Sequence, residues 1–131
     1  MPQSVLIIGE DPDFIDFSAP GMPPNMNARK VMEGLNGSRD RLKGLGYKAR
    51  ILLTRGAATV DAQVSEALRE RRYDVIVIGA GLRTLPPMIE RFERLINVLH
   101  EKAPQAKLAF NSQPADSDAA ALRWLPASPS P

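Results

Sequence analysis

Four short apolar runs alternate with longer stretches of helical periodicity along this chain. Val5-Leu6-Ile7-Ile8 is continuously apolar and closed by Gly9, the pattern of a strand buried on both faces of a parallel sheet. Residues 10–26 form a proline-rich connection. From about Asn27 the pattern turns helical, with Val31, Leu35, Leu42 and Leu45 on one face and Gly46 as a C-terminal stop. Arg50-Ile51-Leu52-Leu53 reads as the second strand. Thr59 then reads as an N-cap, and Val60, Val64, Ala67 and Leu68 line a helix ending near Arg72.

Val75-Ile76-Val77-Ile78 repeats the character of the first strand and ends at Gly79. A third helix follows Pro86-Pro87, its stripe formed by Met88, Ile89, Phe92, Leu95, Ile96 and Leu99. Leu108-Ala109-Phe110 is a short fourth strand. A brief helix from about Asp116 to Leu125 follows, with Trp124 expected to pack it onto the sheet. Residues 1–125 thus read as a single domain, and the tail 126–131, with three prolines, as disordered.

Strict β–α alternation predicts an α/β fold, a three-layer α/β/α sandwich around a four-stranded parallel sheet. Right-handed crossovers, with the two most apolar strands central, predict strand order 2-1-3-4 and a flavodoxin-like layout. In such a sheet a ligand sits beyond the carboxyl ends of the strands where the order reverses, here between strands one and three. The segments that meet there begin with Gly9, Glu10, Asp11 and Asp13 after strand one. Gly79, Gly81 and Arg83 follow strand three, and Asn111 ends strand four. The glycines leave room for close backbone approach. Arg83 is a candidate anion contact, and Asp11 and Asp13 are candidate Mg²⁺ ligands.

Composition narrows the chemistry. The 131 residues include no cysteine and one histidine, His100, which excludes disulfides, thiolate chemistry and sites built on Cys or paired His. The net charge of +2 conceals an asymmetry: residues 1–28 carry four acids and no base, and residues 29–55 carry eight bases against Glu33 and Asp40. The bases Arg39, Arg41, Lys43 and Lys48 lack interleaved aromatics, so they read as a solvated face and no nucleic-acid partner is expected. No apolar run approaches the roughly 20 residues of a membrane span, so no membrane partner is expected. The start, MPQSVLIIGE, reads as a strand without a basic leader, which predicts a cytoplasmic chain.

The connection 10–26 far exceeds the usual βα loop of about 2–6 residues. It carries Phe14, Ile15, Phe17, Met22 and Met26, more apolar surface than a free loop should show to water. It is expected to fold over the crevice or to cover part of a partner. Its acids read either as metal ligands or as a solvated set answering the basic first helix.

Two partial motifs lie at the crevice. Gly79-Ala80-Gly81 resembles the opening of the dinucleotide-binding fingerprint, but Thr84 replaces its last glycine and no acid ends the next strand, which disfavours a nucleotide. Asp11-x-Asp13 resembles the paired aspartates of haloacid-dehalogenase-type phosphotransferases, with Gly9 and Glu10 intervening after the strand.

To about Trp124 the chain resembles a small family of uncharacterised bacterial single-domain proteins of flavodoxin-like or Rossmann-like build. The resemblance rests on the opening strand with its Asp- and Pro-rich sequel, on the stretch from Arg72 to Gly81, and on Phe92-Glu93-Arg94-Leu95-Ile96-Asn97. It implies the fold and a bacterial cytosolic setting, and carries no assigned activity. Three functional readings follow. The first is a small-molecule- or anion-binding domain with its site in the loops after strands one and three. The second is a Mg²⁺-dependent phosphoryl-transfer or hydrolytic enzyme using the acidic loop. The third is a non-catalytic oligomerisation or interaction module, through self-pairing of its edge strands two and four or through helix-mediated dimers.

Overall fold

The computed structural model describes residues 3–56, 58–83 and 88–126. Four parallel strands, β1 (Ser4–Glu10), β2 (Lys48–Thr54), β3 (Val75–Ile78) and β4 (Lys107–Phe110), form one sheet in the order β2-β1-β3-β4. Helices α1 (Ala28–Gly44) and α4 (Ser117–Leu122) cover one face; α2 (Val60–Glu70) and α3 (Ile89–Lys102) cover the other. This is the three-layer flavodoxin-like layout that the alternation predicts. Its handedness explains the layers. The chain moves one way along the sheet through α1 and the opposite way through α2 and α3, so right-handed crossovers place α1 alone against the other two.

The central strands are apolar throughout because both of their faces are covered. Along β1, Val5 and Ile7 enter the core beneath α1 and α4, whereas Leu6 and Ile8 enter the core beneath α2 and α3. Each of these four side chains is fully buried. At about 1.5–3 kcal/mol per buried aliphatic side chain, β1 and β3 dominate the hydrophobic contribution to folding.

α1 begins and ends as its sequence predicts. The Asn27 Oδ1 accepts the Lys30 N–H at 2.9 Å, and Gly46 turns the chain with φ +96°. α2 starts one residue after Thr59, but the Thr59 hydroxyl donates backwards to the Arg55 carbonyl at 2.8 Å and caps nothing. β2 is longer than its apolar centre suggests, because Lys48 and Thr54 still hydrogen-bond to the chain around β1.

Three apolar residues expected inside are outside. Leu45 (52% exposed) lies beyond the last turn of α1, where the helical phase no longer applies. Ile89 (64% exposed) opens α3, and only Leu95 and Leu99 of that stripe are fully buried. Trp124 (53% exposed) follows an α4 that ends at Leu122; Leu125, buried in the α1 core, takes the role expected of it. The Pro86-Pro87 start of the third helix and the tail beyond Pro126 lie outside the described residues.

α4 is six residues long and is held by polar contacts to α1. Arg41 Nε donates to Asp118 Oδ2 at 2.7 Å, and the buried Ser38 hydroxyl donates to the Pro114 carbonyl at 3.1 Å. The Arg41 guanidinium, followed by the weaker effect of neighbouring donors, holds the Asp118 carboxyl below the usual carboxylate range. A depressed native pKa gives stability that is complete above the unfolded value near 3.9 and lost as pH falls through the native value. Asp118→Asn is therefore expected to cost about 1 kcal/mol at pH 7, Arg41 being half exposed and screened. The difference from the parent should shrink as pH falls below the unfolded value and through the lower native one. Urea unfolding at pH 7, 4 and 3 measures it, and a difference that does not change with pH would contradict the assignment.

Candidate functional site

β1 and β3 end beside each other, with Gly9 the last residue but one of β1 and Gly79 the first after β3, and the chain leaves them in opposite directions. The crevice this creates is a cleft of about 310 Å³. Its volume is at the lower end of small-molecule sites, which run about 300–1,000 Å³. The floor consists of the glycine strand ends with Val31 and Leu35 of α1. The roof is the long connection after β1, which contributes Ile15, Met22, Pro23 and Met26. Ser112, Gln113 and Pro114, in the turn after β4, form the remaining rim. The 10–26 segment does fold over the crevice. Ile15, Phe17 and Met26 pack on the α1 core; Phe14, expected to be covered with them, is instead 47% exposed and lies under the Arg55 guanidinium.

Of the two strand-end glycines only Gly79 is tightly confined, since a Cβ on Gly9 would meet Leu35 Cδ1 at an ordinary 3.4 Å. A Cβ on Gly79 would stand 3.1 Å from the Ile8 carbonyl oxygen, tighter than ordinary contact. Gly81, by contrast, lies on the edge of the cleft, with nothing within 4 Å of the point a Cβ would occupy. Residues 80–82 form a single 3-10 turn rather than the start of a long helix, and the Ala80 N–H donates to the Asn111 side chain at 2.7 Å. The resemblance of Gly79-Ala80-Gly81 to a phosphate-binding loop therefore stops at the sequence.

Five of the eight predicted residues line the cleft: Gly9, Glu10, Gly79, Gly81 and Asn111. The polar ones among them are already engaged. Asn111 is buried, and its amide donates to Ser117 Oγ at 2.9 Å while its oxygen holds Ala80, so it ties β4, the β3 turn and α4 together. Glu10 Oε1 accepts from Thr54 Oγ1 at 2.7 Å and from Arg91 Nη2 at 2.6 Å.

Asp11, Asp13 and Arg83 do not line the cleft. The Asp11 Oδ1 accepts the Asp13 N–H at 2.9 Å and caps the 3-10 turn Pro12–Phe14; its other oxygen lies 3.6 Å from Arg55 Nε. Asp13 is exposed. Among the described residues, no three His, Asp or Glu side chains gather into a metal-holding group. Nor do the acids of this segment answer the bases of α1: Asp11 faces Arg55, Glu10 holds Arg91, and Asp16 accepts from Ser18. Arg83 turns inward, donating to the Asn111 carbonyl and lying 5.2 Å over the Phe110 ring. Burial lowers its pKa from the ordinary arginine value, with the charge of Asp116 opposing.

Sequence reasoning misses Arg91, although a signal for it exists. It stands four residues before Leu95 and eight before Leu99, on the row of α3 that is buried. It places Ser112 beside Asn111 at the crevice but misses Gln113 and Pro114 of the same rim turn, although the topology places every βα turn at this end of the sheet.

No family model matches the chain, and none of the curated proteins matches it. Among solved structures, the chain is similar to a crystallised fragment from Peptoclostridium difficile 630 provisionally described as a lipoprotein. The identity is 15%, the TM-score 0.50, and 92% of each chain is covered. That likeness concerns the fold alone.

Proposed function

We propose that this chain is a small-molecule-binding α/β domain whose ligand lies in the cleft beyond β1 and β3. The ligand is compact and largely apolar. The carrying observation is the cleft itself: it lies at the switch of strand order, it is floored by glycine strand ends, and the protein's own segment roofs it with Ile15, Met22 and Met26. The charged groups expected to seize an anion are committed to protein partners, which favours the apolar ligand over a phosphate. No helix among the described residues is long and apolar enough to cross a membrane.

Thermal unfolding in the presence of decanoate, indole, or AMP with Mg²⁺ tests this reading. Decanoate or indole is expected to stabilise the protein, by about 2.7 kcal/mol at about 100 times its Kd, and AMP with Mg²⁺ is not. Gly81→Trp adds a bulky side chain at the edge of the cleft, where nothing lies within 4 Å of the Cβ position. It should leave the unliganded protein's stability unchanged and weaken the apolar probe about tenfold or more, about 1.4 kcal/mol. Absence of any shift with both apolar probes, or an unchanged response in Gly81→Trp, overturns the proposal.

A further inference from the structure

In a parallel sheet flanked by crossover helices, strands start and helices end on one side, and in this protein that side is basic. It collects the ends of α1, α2 and α3 and the starts of β2, β3 and β4. Lys43, Lys48, Arg71, Arg72, Lys102 and Lys107 all stand there, exposed. None of the six enters an ion pair among the described residues. Of the four bases that the sequence groups together, Arg39 is paired with Asp40 and Arg41 with Asp118, so Lys43 and Lys48 alone remain available. The acids on this side are largely engaged. Arg50 holds Glu70, Arg69 holds Glu66, and Asp74 accepts the Ser4 N–H at 2.8 Å, which leaves Glu101 against six bases.

Helix dipoles account for only part of this charge. Lys43 and Lys102 lie in the last turns of α1 and α3, where cations are ordinarily favoured. Lys48, Arg71, Arg72 and Lys107 lie outside the helices. Strand pairing puts Lys48 and Lys107 within one residue of the same level, since Ala49 pairs with Val5, Val5 with Val75 and Val75 with Lys107. Three inter-strand spacings, about 14 Å, separate these two edges. Arg71 and Arg72 lead into β3 between them, so the bases span a face rather than a point. Leu45 stands in the same face, exposed between Lys43 and Lys48, where Gly46 turns the chain out of α1.

We infer that this face docks on an anionic lipid bilayer, with its bases against the headgroups and Leu45 entering the interface. Clusters of about 4–8 bases draw a protein to anionic lipid, each base strengthening the contact about fivefold. An aliphatic side chain among them gains by leaving water for the acyl boundary. Positive charge by itself suits a nucleic acid equally, and two observations favour lipid. The aromatic rings at this end, Tyr47 and Tyr73, are buried and offer bases no stacking platform. The exposed leucine has no complement on a phosphate backbone, whereas a bilayer takes it in. Such contact lies on the membrane surface and needs no spanning helix. The cleft opens at the opposite end of the sheet, so docking does not depend on what fills it.

Co-sedimentation of the full chain with vesicles tests this. Binding is expected to vesicles of phosphatidylcholine mixed equally with phosphatidylglycerol, and not to phosphatidylcholine alone. Raising salt from about 0.1 M to about 1 M, which shortens the Debye length from about 10 Å to about 3 Å, should release the protein. Lys48→Gln and Lys107→Gln should each weaken binding about fivefold. Leu45→Ser should weaken it about fivefold at unchanged net charge. Arg29→Gln removes the same charge at the far end of α1 and should change binding less than about twofold. No binding to the mixed vesicles, equal binding to both kinds, or equal losses in Arg29→Gln and Lys48→Gln overturns the inference. Leu45→Ser binding as tightly as the parent, or a DNA duplex displacing the protein from the vesicles, assigns the face to another polyanion and also overturns it. All four substituted positions are exposed; should a variant fail to fold, the parent's behaviour on the two kinds of vesicle decides alone.

Discussion

Arg91→Met is expected to lower the stability of this domain by about 3–5 kcal/mol, because it breaks a buried ion pair and leaves one partner behind. Arg91 and Glu10 have side chains only 11% and 4% exposed, with 2.6 Å between Nη2 and Oε1. Thr54 adds a hydroxyl to the same carboxylate oxygen at 2.7 Å. Removing the arginine strands a buried carboxylate at the end of β1 with one hydroxyl for company, and it must then keep an uncompensated charge or take up a proton. Restoring neutrality should restore most of the stability. The double variant Glu10→Gln with Arg91→Met leaves a carboxamide that Thr54 can still serve, and it is expected to lie within about 2 kcal/mol of the parent.

Urea unfolding of the four proteins at pH 7 supplies the double-mutant cycle. A coupling of about 2 kcal/mol or more is expected, with unchanged m values; additivity within about 0.5 kcal/mol would show that the pair contributes nothing as a pair. The pair also has a positional consequence. Glu10 lines the cleft, and Arg91 pins α3 to that end of the sheet, so Arg91→Met should weaken binding of an apolar probe as well as the fold.

The order and burial of the elements were legible because β1 and β3 are apolar without alternation. Only a strand covered on both faces needs that pattern, and two such strands must be central. Positions at element ends were not legible. Leu45 and Ile89 extend a helical apolar spacing beyond the part of the helix that faces the core, so periodicity placed them inside; Trp124 was placed there as a large aromatic, but it follows a helix that ends at Leu122. The site was legible as a location, because topology alone identifies the crevice. Its chemistry was not. Glu10, Arg83 and Asn111 are polar residues at the right strand ends, and sequence cannot say whether such a side chain faces a ligand or is already bonded to Arg91, to Thr54 or to the next turn. The apolar roof carried the better signal, since Ile15, Met22 and Met26 had no reason to be in a connection unless it packed against something.

Gly34→Ala is the second large effect, and intrinsic propensity gives it the wrong sign. Gly34 lies in the middle of α1, where alanine is favoured over glycine by about 1 kcal/mol. At this position, however, a Cβ would stand 2.7 Å from the Ala115 backbone nitrogen and 2.8 Å from Pro114 Cβ. Neither atom belongs to a flexible side chain, so the turn 114–116 must be pushed off α1. That turn is also held by Ser38, by the Arg41 bond to the Ala115 carbonyl at 2.8 Å and by the Ser117 hydroxyl on the Pro114 carbonyl. Displacing it strains these bonds together. Overpacking of this kind costs about 1–3 kcal/mol, and the further loss of a buried hydrogen bond costs about 1 kcal/mol. Together these exceed the propensity gain, so Gly34→Ala is expected to destabilise by about 1–3 kcal/mol. Gly44, at the end of the same helix, has nothing within 4 Å of its Cβ position, and Gly44→Ala should be neutral or stabilising by up to about 1 kcal/mol. The two variants share one chemical change and one helix, so opposite signs in thermal unfolding isolate the contact with the 114–116 turn. Because Pro114 forms part of the cleft rim, Gly34→Ala should also weaken an apolar probe while Gly44→Ala leaves its affinity unchanged. Matching signs in the two variants would mean that α1 and the turn are not packed as closely as these distances require.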